Sequence, residues 1–322
     1  MDEFQFIDSI KQNTYRQSSL IKGIGDDAAV IRSSNKDVVT AVDTFVENIH
    51  FSKETMSYFQ VGYRALAANI SDLAAMGATP AYYLVSIVVP NSINDDALQD
   101  IYHGMDKIAK AYNVDLIGGD TVSGEQLTIS ITIIGYVMKG KARYRHQAKH
   151  DDIVFVTGTL GSARAGLHIL LHSLNIEGKD FFIRKHQMPT PRVHFATSLQ
   201  PINRLSLNDI SDGIANELYE IATASNVTIT IQDDQIPVHE KLYQFTDEQR
   251  FHWKYFGGED FELVGTVSKT DWPVIKEVAE KQQVLVTKIG RVIYNEETNG
   301  KVFINKDGKI SRLEKRGYIH MK

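Results

Sequence analysis

The sequence predicts an α/β (α+β) protein of two domains, each built on a mixed rather than a purely parallel sheet. Three observations lead there. Helical and strand patterns alternate along most of the chain. Strand-like segments also occur in adjacent pairs, which a doubly wound parallel sheet does not accommodate. The length of 322 residues, at about 150 residues per domain, divides at a basic stretch without periodicity, Lys139-Gly-Lys-Ala-Arg-Tyr-Arg-His146. The expected domains are therefore 1–140 and 141–322.

Taken in order, 2–13 reads as a short amphipathic helix, and 28–31 and 38–42 as two strands joined by the polar turn Ser33-Ser34-Asn35-Lys36. An alanine-rich helix over 58–76 is stopped by Gly77, with Pro80 beyond. A strongly apolar strand follows at 81–89, a helix at 95–112 and a strand at 114–117. A β-rich segment at 127–137 alternates Thr128, Ser130 and Thr132 with apolar residues. The second half restarts with a strand at 153–157 and a helix at 162–173, then helical sequence to about 199 and a helix near 214–224. Strands at 227–231 and 261–267, a helix at 271–281, a strand at 284–289 and a β-rich tail complete it.

Composition narrows the function. The chain has no cysteine, which excludes disulfides, thiolate nucleophiles and cysteine-held zinc or iron–sulfur sites. The start, Met-Asp-Glu-Phe-Gln-Phe, is acidic and lacks the basic region of a signal peptide. The longest apolar run, 82–89, falls far short of the about 20 residues a membrane span takes. A cytoplasmic protein with no membrane partner is expected. Forty acidic against 35 basic residues, a net charge of −5, disfavours nucleic acid as a partner. An anionic ligand fits such a chain only if metal ions intervene.

Four clusters set glycine beside acid: Gly23-Ile-Gly-Asp26-Asp27, Gly118-Gly119-Asp120, Ser211-Asp212-Gly213 and Gly257-Gly258-Glu259-Asp260. Asp43, after the strand at 38–42, and Asp72, near a helix end, stand at comparable places. Glycine allows tight turns and close backbone approach, and carboxylates are the hard ligands magnesium prefers. An ordinary turn or cap accounts for any one of these clusters. Six in one chain, placed at expected element ends, point to magnesium. The segment 23–28 matches the dinucleotide pattern glycine-x-glycine-x-x-alanine, yet strand-like residues follow it where that motif needs a helix. No glycine–lysine phosphate loop or protein-kinase catalytic loop is present. Gly158-Thr159-Leu160-Gly161-Ser162 leads from strand to helix; a tight turn capped by Ser162 and a phosphate held on free N–H groups are both compatible with it. His50 after Asp43 and Arg145 in the basic stretch are the basic candidates, against a packed histidine and a solvated linker charge.

In order along the chain, these strings resemble the thiamine-monophosphate kinase family, within the superfamily of aminoimidazole ribonucleotide synthetase. The resemblance rests on Gly-Ile-Gly-Asp-Asp-Ala at 23–28, Val-Asp-Thr-Phe-Val-Glu-Asn-Ile-His-Phe at 42–51 and Ala-Asn-Ile-Ser-Asp-Leu-Ala-Ala-Met-Gly-Ala-Thr-Pro at 68–80. It continues through Gly-Gly-Asp-Thr at 118–121, Val-Thr-Gly-Thr-Leu-Gly at 156–161, Pro-Thr-Pro-Arg at 189–192, Ile-Ser-Asp-Gly-Ile at 210–214, Gly-Gly-Glu-Asp-Phe-Glu-Leu at 257–263 and Gly317-Tyr318. It implies two α/β domains, the first binding ATP and metal and dimerising through its sheet, the second completing the active site. It implies transfer of the ATP γ-phosphate to thiamine monophosphate. It further implies several magnesium ions on Asp27, Asp43, Asp72, Asp120, Asp209 and Asp212, with Asp72, Asp120 and Asp212 central to catalysis. ATP would meet Tyr102, Gly119, Asp120, Arg145 and Ser211; thiamine monophosphate would meet His50, Glu259 and Tyr318.

Two departures stand out. Relatives carry hydroxyl residues before Asp43, where this chain has Ala41-Val42, and they carry glycine and proline–glycine after Arg145, where this chain has Gln147, His150 and Asp151. The chemistry is self-consistent: a phosphate monoester, with a second pKa of about 6, is a dianion needing no general base, so the task is charge neutralisation by metal. The competing readings are a purine-pathway or selenide enzyme of the same superfamily, the latter disfavoured by the absence of cysteine, and a non-catalytic nucleotide- or metal-binding relative.

Overall fold

The computed structural model describes residues 14–22, 30–31 and 35–317. The expected helix at 2–13 lies outside them, as do Asp27 and Tyr318. The chain divides into two compact units, Met1–Leu73 with Ala78–Gly140, and Ala74–Gly77 with Lys141–Lys322.

In the first unit, β1 (Leu20–Lys22) pairs antiparallel with β2 (Val30–Ile31). Among the described residues β2 does not pair with the next strand, as the expected hairpin would require. Instead β3 (Lys36–Val46) pairs along its whole length with β6 (Thr128–Met138). Between them come α1 (Tyr58–Ala75), β4 (Thr79–Pro90), α2 (Asp95–Tyr112) and β5 (Asp115–Gly124). The sheet order is β3-β6-β4-β5, antiparallel except for β4–β5, which run parallel across the α2 crossover.

The boundaries of α2 follow from its ends. The Asn94 side chain accepts from the Ala97 N–H, Asp95 and Asp96 sit in the first turn, and Asn113 closes the helix in the left-handed conformation. The two helices touch backbone to backbone, since a methyl on Gly62 would strike the Ile101 carbonyl and one on Gly104 the Phe59 carbonyl. Alternation in β6 buries Ile129, Ile131, Ile133 and Val137 on one face, where Gly135 leaves room for Leu73 of α1. The opposite face stays open at Val38, Val42, Val122 and Met138.

The second unit is a seven-stranded sheet of β7 (Ile153–Thr157), β8 (Leu205–Asp209), β9 (Thr228–Gln232), β10 (Leu263–Val267), β11 (Val286–Ile293), β12 (Val302–Lys306) and β13 (Lys309–Arg312). Its order is β13-β12-β9-β11-β7-β10-β8, antiparallel except for β12–β9. The helices are α3 (Ser162–Leu171), α4 (Lys179–Gln187), α5 (Val193–Ser198), α6 (Ile214–Ser225), α7 (Asp247–Phe256) and α8 (Trp272–Lys281). Every residue of β7 and β10 is buried, as central strands covered on both faces require. Pairing brings Asp209 opposite Leu263, and Val156 opposite Val264. The ends of β7 and β8 and the start of β10 therefore lie at one end of the sheet, and three loops gather there: 158–162, 210–213 and 257–262.

Candidate active site

Each unit carries one group of the expected site residues. In the first, Asp43 and Gly118–Asp120 lie inside strands rather than after them, because β3 and β5 run longer than expected. Register decides what they can share. Asp43, Ile131, Val85 and Gly119 form one row across the sheet, and Thr44, Ser130, Ser86 and Asp120 the next. Asp43 thus faces the helix side with Ile131, while Asp120 shares the other face with Ser86 and Ser130. Three strand spacings separate them, about 14 Å, so within this unit they do not meet on one ion. Gly119 is needed where it stands, since a side chain would run into the Val85 carbonyl.

Asp72 is half-buried in the last turn of α1, a turn with no basic residue. A carboxylate there opposes the negative end of the helix dipole, and a bound cation relieves that conflict. His50 accepts from the Val46 N–H through Nδ1 at 3.0 Å, its ring tilted against Phe45; this bond leaves Nε2 as the protonated nitrogen. Tyr102 is almost wholly buried along the packed face of α2, and burial pushes its hydroxyl up.

In the second unit the loops knit together. The Glu259 N–H donates to the Ser211 carbonyl at 2.7 Å, Phe261 N–H to Ile210 at 3.0 Å and Ile210 N–H to Glu262 at 2.8 Å. Gly258 lies so close to the Ser211 carbonyl that no side chain fits. Glu259 (φ 70°) and Phe261 (φ 49°) both adopt the left-handed conformation that non-glycine residues avoid, the kind of local strain that clusters at functional sites. Gly317 packs against the Asp212 carbonyl and Asn216, so the chain just before Tyr318 lies beside the β8–α6 loop.

Five residues hold these loops: Asn208 and Glu217 were missed by sequence reasoning, and Asp260, Glu262 and Arg192 were seen only as parts of strings. Asp260, fully buried, accepts from the Gly161 N–H at 2.6 Å and the Ala163 N–H at 2.9 Å. The N-terminus of α3 is therefore filled by a carboxylate of the same chain, and it is neither capped by Ser162 nor open to a phosphate. Burial pushes Asp260 up to about 7, against those two bonds. Glu262 accepts from Arg192 through two bonds of 2.6 Å, from Lys185 at 3.2 Å and from Thr157 at 2.8 Å. Burial alone would raise its carboxyl; the charge and bonds of Arg192, with Lys185 and Thr157, hold it below the usual range.

Asn208 and Glu217 serve Arg145. The Arg145 Nε donates to Asn208 Oδ1 at 3.0 Å, and Asn208 Nδ2 donates to Glu217. Glu217 also accepts from the Asp212 N–H at 3.3 Å and from Asn216 at 3.4 Å. Burial, then Asp209, then Asp212 push Glu217 up to about 8. The altered loop after Arg145 has a defined anchor: the Arg145 carbonyl accepts from Ser206 and Ser225, Gln147 bonds Ser206 and Leu205, and Arg204 clamps the Gln147 carbonyl and Asp152.

Among the described residues no three carboxylates or histidines converge as a ready-made metal cage. Magnesium needs only one or two carboxylates beside water and phosphate. The crowding of Asp209 and Asp212 on Glu217, and Asp72 at a helix C-terminus, are unfavourable arrangements of negative charge that such an ion offsets. The donors are all oxygen, so the residues fit magnesium.

Residues 25–137 match the AIR synthase related protein N-terminal domain, and residues 149–302 match the C-terminal domain of the same family. The chain is 45% identical to the thiamine-monophosphate kinase of Bacillus subtilis (strain 168) over the whole of both chains. Its fold is similar to the crystal structure of thiamine-monophosphate kinase from Stenotrophomonas maltophilia K279a, with a TM-score of 0.86 and 32% identity over 96% of this chain and 98% of that one. It is also similar to a structure described as AaThiL complexed with AMPPCP and TMP, with a TM-score of 0.78 and 30% identity over 99% of this chain and 97% of that one.

Proposed function

Because this chain belongs to the thiamine-monophosphate kinase family, we propose that it transfers the γ-phosphate of ATP directly to thiamine monophosphate, giving thiamine diphosphate and ADP. The observation that carries this reading is the 2.7 Å bond from the Glu259 N–H to the Ser211 carbonyl. It sets the residue expected on the acceptor directly beside the residue expected on ATP, and group transfer requires two substrates side by side.

ATP is the co-substrate. Asp43, Asp72 and Asp120 in the first unit, and Asp209 and Asp212 in the second, would hold magnesium, together with Asp27. When bound, magnesium neutralises the facing phosphates and stabilises charge on the transferring group. The protein residues orient and separate. Arg145 presents a planar donor fork to an ATP phosphate, aimed by Asn208. Gly119 brings backbone close to the nucleotide, and Tyr102 supplies a ring edge from the packed face of α2. His50 offers an Nε2–H to the acceptor, Glu259 an acidic partner for its cationic ring, and Tyr318 an aromatic face. No group is required as a base, since the acceptor phosphate is already a nucleophile at neutral pH. The carboxyls pushed up toward neutrality, Asp260 and Glu217, are accordingly ones that brace loops.

The enzyme works in the cytoplasm as a homodimer through the open sheet face of the first unit. Val38 is 60% exposed, Val42 61% and Met138 56%, apolar residues exposed on one face of the β3–β6 pair, of the kind that marks an interface. Sedimentation of the chain and of Val42→Asp tests it: a dimer converted to monomer is expected, and a monomeric parent chain refutes it.

The reaction is tested by supplying purified protein with ATP, magnesium and either thiamine monophosphate or thiamine, and separating products by chromatography. Thiamine diphosphate formed only from the monophosphate, and only with divalent metal, is expected. ATP binding without product on this acceptor would overturn the proposal.

A further inference from the structure

We propose that Asp260 is a positioning residue for the acceptor side of the site, acting through the backbone of its neighbour Glu259. The inference rests on the role given to Glu259 under Proposed function. Glu259 and Phe261 both stand in the left-handed conformation, at φ 70° and 49°, and Asp260 is the link between them. Two departures of this kind on either side of one residue are unfavourable for side chains with a Cβ, so something outside the loop must impose them. The Asp260 carboxylate is that anchor. It is buried, and its two oxygens take the Gly161 N–H at 2.6 Å and the Ala163 N–H at 2.9 Å.

These are orphan donors at the start of α3, and they point at a fixed place because only the short loop 158–161 separates α3 from the central strand β7. The loop is thus tied at three points: Glu259 N–H to Ser211, Asp260 to α3, and Phe261 N–H to Ile210. Release of the middle tie frees Glu259 to relax toward the common conformations, which moves its side chain from the position the three ties fix.

Carboxylate is the one side chain of this size that accepts at both ends. Asp260→Asn places an N–H₂ against one of the two N–H donors, so that tie is lost and replaced by a donor–donor repulsion, while the amide oxygen keeps the other. Asp260→Ser keeps a single acceptor and is the milder variant should Asp260→Asn fail to fold. Acceptor and ATP KM are measured for Asp260→Asn, Glu259→Gln and the double variant. Amide exchange over 257–262 is followed in parallel on the full chain.

Asp260→Asn is expected to raise the thiamine monophosphate KM about tenfold or more, to leave the ATP KM within about twofold, and to speed exchange over 257–262. In the Glu259→Gln background the same change is expected to add nothing further to the acceptor KM, because residues acting in series are not additive. An unchanged acceptor KM in Asp260→Asn, or a full additional loss in the double variant, overturns the inference. If Glu259→Gln alone leaves the acceptor KM unchanged, the role assigned to Glu259 fails, and the exchange data then judge Asp260. Faster exchange over 257–262 upholds its hold on the loop; unchanged exchange overturns it.

Discussion

Arg192→Ala should destabilise this protein more than the loss of an arginine with 17% of its side chain exposed would ordinarily suggest. Its partner Glu262 has a side chain only 1% exposed and takes two bonds of 2.6 Å from it. Removing one member of a buried pair leaves an uncompensated charge and costs about 3–5 kcal/mol. Lys185 at 3.2 Å and Thr157 at 2.8 Å remain, so the loss should fall near the lower end, about 3 kcal/mol.

The pH dependence supplies a sharper test than the size. In the parent chain Glu262 is held below its unfolded value, so its contribution to stability is present above that value and lost as pH falls through the folded one. Without Arg192, burial dominates and the carboxyl moves above its unfolded value, so stability is lost as pH rises instead. The penalty of Arg192→Ala should therefore be larger at pH 8 than at pH 5. Adding Glu262→Gln to Arg192→Ala removes the stranded charge and should recover part of the loss. Urea unfolding at matched m-values measures each variant. A penalty under about 1 kcal/mol, or one equal at both pH values, would refute the assignment of Arg192 as the counter-charge of a buried carboxylate.

Three further outcomes are expected, two of them from the second unit. Asn208→Ala should raise the ATP KM about tenfold or more, the order of one lost charge-assisted bond of about 1.5–3 kcal/mol, with the acceptor KM nearly unchanged; equal effects on both would place Asn208 elsewhere. Glu217 is raised to about 8 by burial and by Asp209, so in metal-free protein its stabilising protonated form is lost as pH rises through that value. Stability should decline between about pH 5 and 8 with a slope approaching 1.4 kcal/mol per unit, and Glu217→Gln should flatten it; an unchanged slope in that variant sinks the assignment. Removal of divalent metal with a chelator should abolish thiamine diphosphate formation, with recovery on adding magnesium, read by the same chromatographic assay.

Much of this molecule was legible before any fold was known. The helix Asp95–Tyr112 could be bounded to the residue because both its caps are local: Asn94 binds the Ala97 N–H, and Asn113 takes the left-handed turn. The strand at 153–157 was legible as an unbroken apolar run. The helix Asp247–Phe256 was missed although its capping box, Thr246 with Gln249, is written in the sequence; its aromatic and charged residues follow no clean apolar stripe. The strand Leu205–Asp209 was missed because Leu-Ser-Leu-Asn-Asp is short and half polar, and its burial comes from partners distant in sequence: β10 beside it and the Arg145 and Glu217 segments bonded to it. Among the described residues β3 takes β6 and not 30–31 as its partner, because register is a choice among partners distant in sequence.

The sequence by itself determined the elements with local caps, the acid–glycine strings and, through their resemblance to a known family, the chemistry to expect. Tertiary structure alone decided how those residues combine. It put Asp43 and Asp120 on opposite faces of one sheet, although both read as equivalent ligands in the chain. It turned Asp260 and Glu262, two acids in one string with Glu259, into the braces of a loop, since only folding supplies the α3 N-terminus and Arg192. The physical reason is that a carboxylate's role is set by what faces it and by how much water remains, and neither is encoded within a few residues of its own position.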